Sequence, residues 1–305
     1  MKGLWKNTWK HKWLVLMALP TVVILFMFHY MPMFGLVLAF REHRFGMTIF
    51  EWPWVGFDNF RVLFTVPETM WRLIRNTVGY WALFLITGTF FNVVFAILLD
   101  ECRLKFFKKA AHTVAIFPIF ISWIAVSFIV HALLNENFGM INSMLTRFGF
   151  ETISWYISPR YWPAILLIVN LWRHVGFGSI IYLSALSGID PEMYESARVD
   201  GAGRWRQIRS ITLPMLVPLI CIMTLLSLGS IMVSNTGLFY QVTRNVGSLW
   251  PTTQTIDAYV LNALRTRTDF GRTAAVTLFQ SGIGLFMVLF ANLVVRRWNP
   301  DHALF

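Results

Sequence analysis

The chain has 305 residues, of which 56% are hydrophobic and 13% charged, and its formal net charge is +11. Soluble domains carry roughly 45–50% apolar and about 25% charged residues, so both figures indicate a chain that lies mainly in lipid. The positive charge falls in short segments between apolar runs, as in membrane proteins, which argues against a nucleic-acid partner.

Six apolar segments are each long enough to cross a bilayer core of about 30 Å, which takes roughly 20 residues. They cover residues 13–40, 77–99, 110–134, 161–186, 211–233 and 274–294. No segment between them is long enough for a soluble domain. The sequence therefore predicts an all-α integral membrane protein with six transmembrane helices, a single domain over residues 1–305. Pro118 is expected to kink the third span.

Positive charge orients these spans. If the N-terminus is cytoplasmic, the cytoplasmic segments hold 14 of the 26 Lys and Arg residues, all seven lysines among them, in roughly half the loop length of the outer side. They are Lys2, Lys6, Lys10, Lys12, Arg103, Lys105, Lys108, Lys109, Arg198, Arg204, Arg206, Arg209, Arg296 and Arg297. We therefore predict a multi-pass protein of a bacterial cytoplasmic membrane with both termini in the cytoplasm.

Two outer segments show apolar residues at helical spacing. The first holds Ile141, Met144, Leu145 and Phe148, and the second holds Ile256, Tyr259, Val260, Ala263 and Leu264. Both are predicted to be short amphipathic helices on the outer membrane surface.

The third cytoplasmic segment, residues 187–210, has clear helix signals. Asp190 is a suitable N-cap, and Pro191 suits the first helical position. Gly201 and Gly203 tolerate positive φ, which predicts that the helix ends there. These signals alone describe a well-capped connector.

The same segment resembles a known family. Glu195-Ser196-Ala197, three residues, Gly201, nine residues and then Ile211-Thr212-Leu213-Pro214 resemble the EAA loop of binding-protein-dependent ABC importer permeases. Ser196 departs from the usual alanine. The resemblance implies the type I ABC importer permease fold, in which this helix is the coupling helix seated on the ATPase subunit. The implied coupling residues are Glu195, Ser196, Ala197, Asp200 and Gly201.

Further motifs narrow the resemblance to carbohydrate-importing permeases, and most to the branch that imports complex oligosaccharides from polysaccharide breakdown. They are Leu19-Pro20, Tyr30–Gly35, Ala39-Phe40, Val55–Phe60, Asn76-Thr77, Phe120–Trp123, Gly139–Asn142 and Ile180–Leu186. The resemblance implies an oligosaccharide substrate. It also implies three kinds of protein partner: a second homologous permease chain, two ATPase subunits and an extracytoplasmic sugar-binding protein. Membrane lipid surrounds the permease.

Catalysis is not expected in this chain. It has no Gly-x-x-x-x-Gly-Lys-Ser/Thr phosphate loop, so ATP and Mg²⁺ are expected on the separate ATPase and no cofactor is expected here. A membrane-embedded enzyme would need clustered acidic or histidine side chains within the spans. An ion-coupled secondary transporter, the alternative function, usually needs intramembrane carboxylates. The predicted spans contain no Asp or Glu.

Polar residues within spans are candidates for the substrate pathway, because burying them in lipid is costly. The candidates are Asn92, Trp123, Asn170, Trp172, Arg173, His174 and Ser227. Arg173 has two open interpretations: it pairs with a helix-end carbonyl or carboxylate, or it contacts substrate. Bundle packing is the competing explanation for the others. Gly282 and Gly284 in the last span are expected to be close-packing positions.

Arginines also cluster on the outer side. They are Arg41, Arg44, Arg61, Arg72, Arg75, Arg244, Arg265 and Arg267. Three partners suit them equally: an acidic oligosaccharide, an acidic face of the binding protein, or anionic lipid headgroups.

Overall fold

The structure, a computed structural model, describes residues 12–44, 46–267 and 269–298. Lys2, Lys6, Lys10 and both chain ends lie outside this part. The helices are α1 (Lys12–Leu25), α2 (Val62–Thr65), α3 (Pro67–Glu101), α4 (Lys105–Ile116), α5 (Trp123–Leu134), α6 (Met140–Arg147), α7 (Trp162–Leu186), α8 (Pro191–Val199), α9 (Arg204–Gln207), α10 (Leu213–Leu228), α11 (Trp250–Thr253), α12 (Ile256–Arg267) and α13 (Phe270–Trp298).

Five continuous helical segments of the described chain are long and apolar enough to span a membrane. They are Lys12–Phe40, Pro67–Glu101, Pro159–Leu186, Arg204–Leu228 and Phe270–Leu293. Each overlaps a predicted segment. The second begins ten residues before its predicted start at 77, because residues 67–76 form a helix whose polar side chains anchor the outer loops rather than face lipid.

The predicted third span is broken. The helix Lys105–Phe120 and the helix Trp123–Leu134 meet at an angle of 101°. Ile121 and Ser122 between them are extended, and the Ser122 hydroxyl caps α5 by accepting a hydrogen bond from the Ala125 amide at 3.2 Å. The sequence predicted a kink at Pro118, which instead lies within a 3₁₀ turn, Phe117–Phe120, just before the break.

α7 is the central helix of the bundle. It packs along the length of α3 on one side and against α4 on another. At Gly176 the contact with α4 is so close that a β-carbon would collide with the Ala115 carbonyl group. Leu166 and Trp162 on α7 are fully buried in the outer part of the core, and Leu186 is buried near its inner end.

α1 stands apart from this core. No residue of Lys12–Tyr30 is buried, although the segment is strongly apolar. Its continuation, the 3₁₀ helix Met31–Phe40, packs against α13 and buries Ala39. Most of the first span therefore presents apolar surface to lipid or to another chain.

Both predicted outer helices are present, as α6 and α12. α12 contacts α3 and α13 and buries Ile256, Ala258 and Ala263. Its apolar face therefore packs on the bundle, whereas the sequence placed it on the membrane surface.

The segment 187–210, predicted to be cytoplasmic, contains α8. The N-terminus of α8 is capped by Asp190, whose side chain accepts a hydrogen bond from the Glu192 amide at 2.9 Å. Gly201 has a φ of +76°, as expected. Gly203 also lies beyond the end of the helix, but its φ is −68°, because it is the extended N-cap of α9.

Two side-chain contacts fasten this segment to the bundle. The Tyr194 hydroxyl on α8 lies 3.0 Å from Thr212 Oγ1, in the π-helical turn (Ile208–Thr212) that leads into α10. Arg204 forms a 3.2 Å ion pair with Glu101 at the inner end of α3. The first contact joins α8 to the start of α10, and the second joins α9 to α3.

Candidate functional site

An open cavity of about 710 Å³ lies between α3, α7 and α10. Its walls are mainly apolar, and the polar residues among them are Thr89, Asn92, Asn170, His174, Tyr182, Ser184 and Ser227. Four of the seven predicted pathway residues thus come together here: Asn92, Asn170, His174 and Ser227. This combination of apolar wall and a few polar groups is typical of small-molecule sites, which usually measure about 300–1,000 Å³.

The cavity offers hydrogen-bond acceptors. His174 Nδ1 lies 2.9 Å from the Asn170 carbonyl oxygen. A carbonyl only accepts, so Nδ1 carries the proton and Nε2 of the neutral ring keeps its lone pair. Asn92 Oδ1 is buried and has no partner in the described part of the chain. A sugar hydroxyl is a donor that matches His174 Nε2, and it would match Asn92 Oδ1 once this amide turns from Gly178 towards the cavity.

Ser227 is held within the bundle. Its hydroxyl donates to the Thr224 carbonyl at 2.7 Å, and its carbonyl accepts from the Trp81 indole at 3.0 Å. Its side chain therefore shapes the cavity wall, and its hydroxyl oxygen can still accept a hydrogen bond.

Arg173 lies outside the cavity, at the break between α4 and α5. Its guanidinium donates to the carbonyls of Pro118 at 3.2 Å, Ile119 at 3.0 Å and Ile121. The Pro118 carbonyl also accepts from the Ile121 amide at 3.2 Å, whereas the break leaves the Ile119 and Ile121 carbonyls without helical partners. An unpaired carbonyl in the membrane interior is costly. Of its two interpretations, pairing with helix-end carbonyls is therefore the one that the contacts favour.

Trp123 connects this arginine to the cavity. Its ring lies 4.3 Å from the Arg173 guanidinium carbon and 6.1 Å from the His174 ring centroid. Gly237 packs so closely that a β-carbon there would collide with the indole. Trp123 thus packs behind the cavity wall and supports the side chain of His174. Trp172 is 44% exposed and does not line the cavity.

One polar cluster was missed at the sequence level. Asp257 on α12 accepts hydrogen bonds from the Ser234 amide at 2.6 Å, the Ser234 hydroxyl at 2.9 Å and the Gln280 side chain at 3.1 Å. The cluster joins the outer end of α10 to α12 and α13. Gln280, an amide within an apolar span, is the signal that pointed to it.

The predicted coupling residues lie together on α8 and in the turn that follows it. On α8, Glu195 and Ser196 are exposed and Ala197 is half-buried, while Asp200 and Gly201 form the exposed turn after it. The Ser196 hydroxyl donates to the Met193 carbonyl at 3.1 Å, so serine fits this helix where alanine is usual.

α8 also exposes apolar surface. Val199 is 88% exposed, and Met193 is also exposed, although neither lies in a predicted span. Exposed apolar and acidic side chains on one short, well-anchored helix are suited to docking against another protein.

Comparison with known proteins identifies similar chains. Residues 92–300 match the family described as "Binding-protein-dependent transport system inner membrane component". The polygalacturonan/rhamnogalacturonan transport system permease protein YteP of Bacillus subtilis (strain 168) is 33% identical over 296 residues, which cover 96% of this chain and 90% of that protein. The lactose transport system permease protein LacF of Rhizobium radiobacter is 27% identical, and the match covers 86% of this chain and 87% of that protein.

Solved structures agree with these relatives. A chain of a bacterial ABC transporter involved in the import of the acidic polysaccharide alginate has a TM-score of 0.86 and 33% identity, and the match covers 97% of this chain and 99% of that one. A second structure, of the bacterial alginate ABC transporter in complex with alginate pentasaccharide-bound periplasmic protein, has a TM-score of 0.85 and 32% identity, with 96% and 97% covered.

Proposed function

The chain belongs to the family of binding-protein-dependent transport system inner membrane components, and from this we propose that it is one of two permease chains of an ATP-driven oligosaccharide importer. The family is one of transport permeases, so the chain is a multi-pass membrane transport protein. The same match favours this function over the ion-coupled secondary transporter.

We propose an oligosaccharide released from an acidic polysaccharide as the substrate. The full-length similarity to a polygalacturonan/rhamnogalacturonan permease and to a chain of an alginate importer supports this class. The cavity between α3, α7 and α10 adds a chemical reason. It combines apolar walls with acceptors at Asn92 and His174, which suits the faces and hydroxyl groups of sugars.

The partners follow from the same proposal. An extracytoplasmic binding protein delivers the sugar, a second homologous permease completes the pathway, and two ATPase subunits bind ATP and Mg²⁺. The exposed apolar surface of α1 is available to the second permease. The predicted orientation, with both termini in the cytoplasm, places α8 on the ATPase side.

We expect Asn92→Leu to lower uptake about fivefold, because it removes a buried acceptor whose hydrogen bond to a substrate hydroxyl is worth on the order of 1 kcal/mol. Initial uptake of labelled trigalacturonate into cells carrying the whole importer measures this. Asn137→Leu in an exposed outer loop makes the same chemical change and should leave uptake normal. Normal uptake by both variants would remove the cavity from the pathway.

We expect Glu195→Lys to leave the complex assembled but to abolish uptake, because it reverses the charge on the exposed face of α8 that docks on the ATPase. Uptake and substrate-stimulated ATP hydrolysis of the purified complex are the measurements. Glu151→Lys, on an exposed outer loop, is the control for net charge. Stimulated hydrolysis at the wild-type level in Glu195→Lys would contradict the coupling role.

A further inference from the structure

A second concave site lies at the outer ends of the helices, away from the cavity described above. It is a groove of about 740 Å³ between the start of α3, α11 and α12. The polar and aromatic residues that line it are Thr69, Arg72, Trp250, Gln254, Tyr259, Asn262 and Thr266. This outer groove is large enough for several sugar units.

Arg72 carries a charge that the groove does not neutralise. Its one described hydrogen bond goes to the neutral Gln254 Oε1 at 3.2 Å. Its Nε is buried and has no partner in the described part of the chain. None of the described lining residues is an Asp or Glu. A half-buried guanidinium without a counter-ion is costly, so an anion from outside the chain would stabilise it.

Other outer arginines are already engaged. Arg44 and Arg61 pair with Glu42 at 3.2 Å and Asp58 at 3.6 Å. Arg41 donates to the carbonyls of Ile49, Phe50 and Trp52, and Arg75 donates to the Pro251 carbonyl at 3.0 Å. Arg41 and Arg75, like Arg72, have only neutral partners among the described residues, and Arg41 Nε is also buried without one. Of these five arginines, Arg72 is the one that lines the groove.

The rest of the groove also matches an acidic sugar. Trp250 and Tyr259 are aromatic rings of the kind that stack on sugar faces. A hydrogen-bond chain holds one wall: the Trp250 indole donates to Asn245 Oδ1 at 3.2 Å, and Asn245 donates to Asn262 Oδ1 at 2.8 Å. The Asn262 amide nitrogen is left with no acceptor in the described residues, as is that of Gln254. The groove is thus rich in donors, which a carboxylate accepts.

We propose that this outer groove is an entry site for uronate-containing oligosaccharides, with Arg72 binding a sugar carboxylate. The proposal rests on the importer function above and names the chemistry of its substrate. A sugar suits the groove better than an acidic side chain of the binding protein. The unpaired Arg72 Nε is recessed, and a single Asp or Glu would leave most of the volume unfilled.

Binding of trigalacturonate to the assembled complex, without binding protein or ATP, tests the site directly. The neutral methyl ester of the same trisaccharide is the ligand control. We expect Arg72→Gln to weaken trigalacturonate binding at least tenfold and to leave ester binding unchanged. Arg72→Lys keeps the charge but loses the guanidinium fork, so its affinity for trigalacturonate should lie between those of wild type and Arg72→Gln. Arg61→Gln matches the loss of charge and should bind like wild type.

Three results would overturn the proposal: wild type that binds the acid no better than the ester, Arg72→Gln that binds the acid normally, or Arg72→Gln that loses affinity only for the binding protein. Uptake measurements distinguish failure of the entry-site proposal from failure of the proposed importer function. If wild type imports trigalacturonate and Arg72→Gln has an unchanged KM, the entry site fails alone. If wild type imports no uronate, the proposed substrate fails, while the binding assay still decides what Arg72 holds. A thermal melt of each variant confirms that it is folded.

Discussion

Replacing Gly176 by alanine is expected to prevent assembly of the importer. A β-carbon at this position would fall on the backbone of α4, against the Ala115 carbonyl and within 2.6 Å of the Ile116 amide nitrogen. Backbone atoms cannot rotate away as a flexible side chain does, so α4 and α7 must separate. Overpacking usually costs about 1–3 kcal/mol and here should reach the upper end or exceed it, because the two helices cross at this point.

Gly282→Ala in α13 is the matched control. It makes the same change within a spanning helix, but nothing lies within 4 Å of its β-carbon position. Alanine is favoured over glycine in helices by up to about 1 kcal/mol, so this variant should be as stable as wild type or more so. Membrane yield and the thermal midpoint of the purified complex compare the two. A normal yield of Gly176→Ala would show that α4 and α7 are less closely packed than described.

Gly176 and Gly282 also show that close packing between helices could not be predicted from the sequence. Gly282 and Gly284, in the last span, were expected to be close-packing positions. The neighbourhood of Gly282 is open, and Gly284 makes only ordinary contact with the Gly229 carbonyl. Gly176 gave no such signal. Close approach depends on which helices cross, and that is a property of the tertiary fold.

Segments with strong local signals were predicted well. The fourth span, predicted at 161–186, is the helix Trp162–Leu186 with its preceding 3₁₀ turn. α8 begins at its predicted cap and ends before Gly201. These results follow from hydrophobicity and capping, which act over a few residues. For the third span the sequence predicted a kink at Pro118, but not the 101° break at Ile121 and Ser122. The extended backbone there is held by an arginine 52 residues away.

Several motif residues turned out to support loops. Asn142 donates to the carbonyls of Glu136 and Ile153 and accepts from the Trp155 indole at 3.0 Å. Asn76 donates to the Gln254 carbonyl at 3.0 Å and so fixes the base of the outer groove. A sequence pattern shows that an amide stands at such a position, whereas its partners are known only once the chain is folded.

The candidate site, too, was predicted only in part from the sequence. Polarity within apolar spans selected Asn92, Asn170, His174 and Ser227, which line one cavity in the structure. It could not separate them from Arg173, because polarity alone does not say whether a group faces a cavity or a broken helix. The outer groove was missed for a related reason: its residues come from three helices that are far apart in the chain.

Arg173→Gln is expected to destabilise the complex by about 3 kcal/mol, since three carbonyls lose a charged donor and hydrogen bonds to charged groups contribute roughly 1.5–3 kcal/mol each before partial compensation. The stacking of the guanidinium on Trp123 is lost as well. Because Trp123 packs behind His174, uptake should fall together with stability for every substrate. A lower thermal midpoint, with faster hydrogen exchange over residues 117–124, is the expected result.

Two further variants separate this role from substrate contact. Arg173→Lys keeps the charge, but one ammonium group cannot reach three carbonyls spread over Pro118–Ile121, so it should restore only part of the stability. Trp172→Phe changes the exposed neighbour and should resemble wild type. If Arg173 instead bound substrate, Arg173→Gln would melt normally, exchange normally at the break and show only a raised KM. The three carbonyl contacts predict a different result for Arg173→Gln. The break between α4 and α5 should unfold locally before the rest of the bundle, and transport should fail because the pathway beside this break is no longer held open.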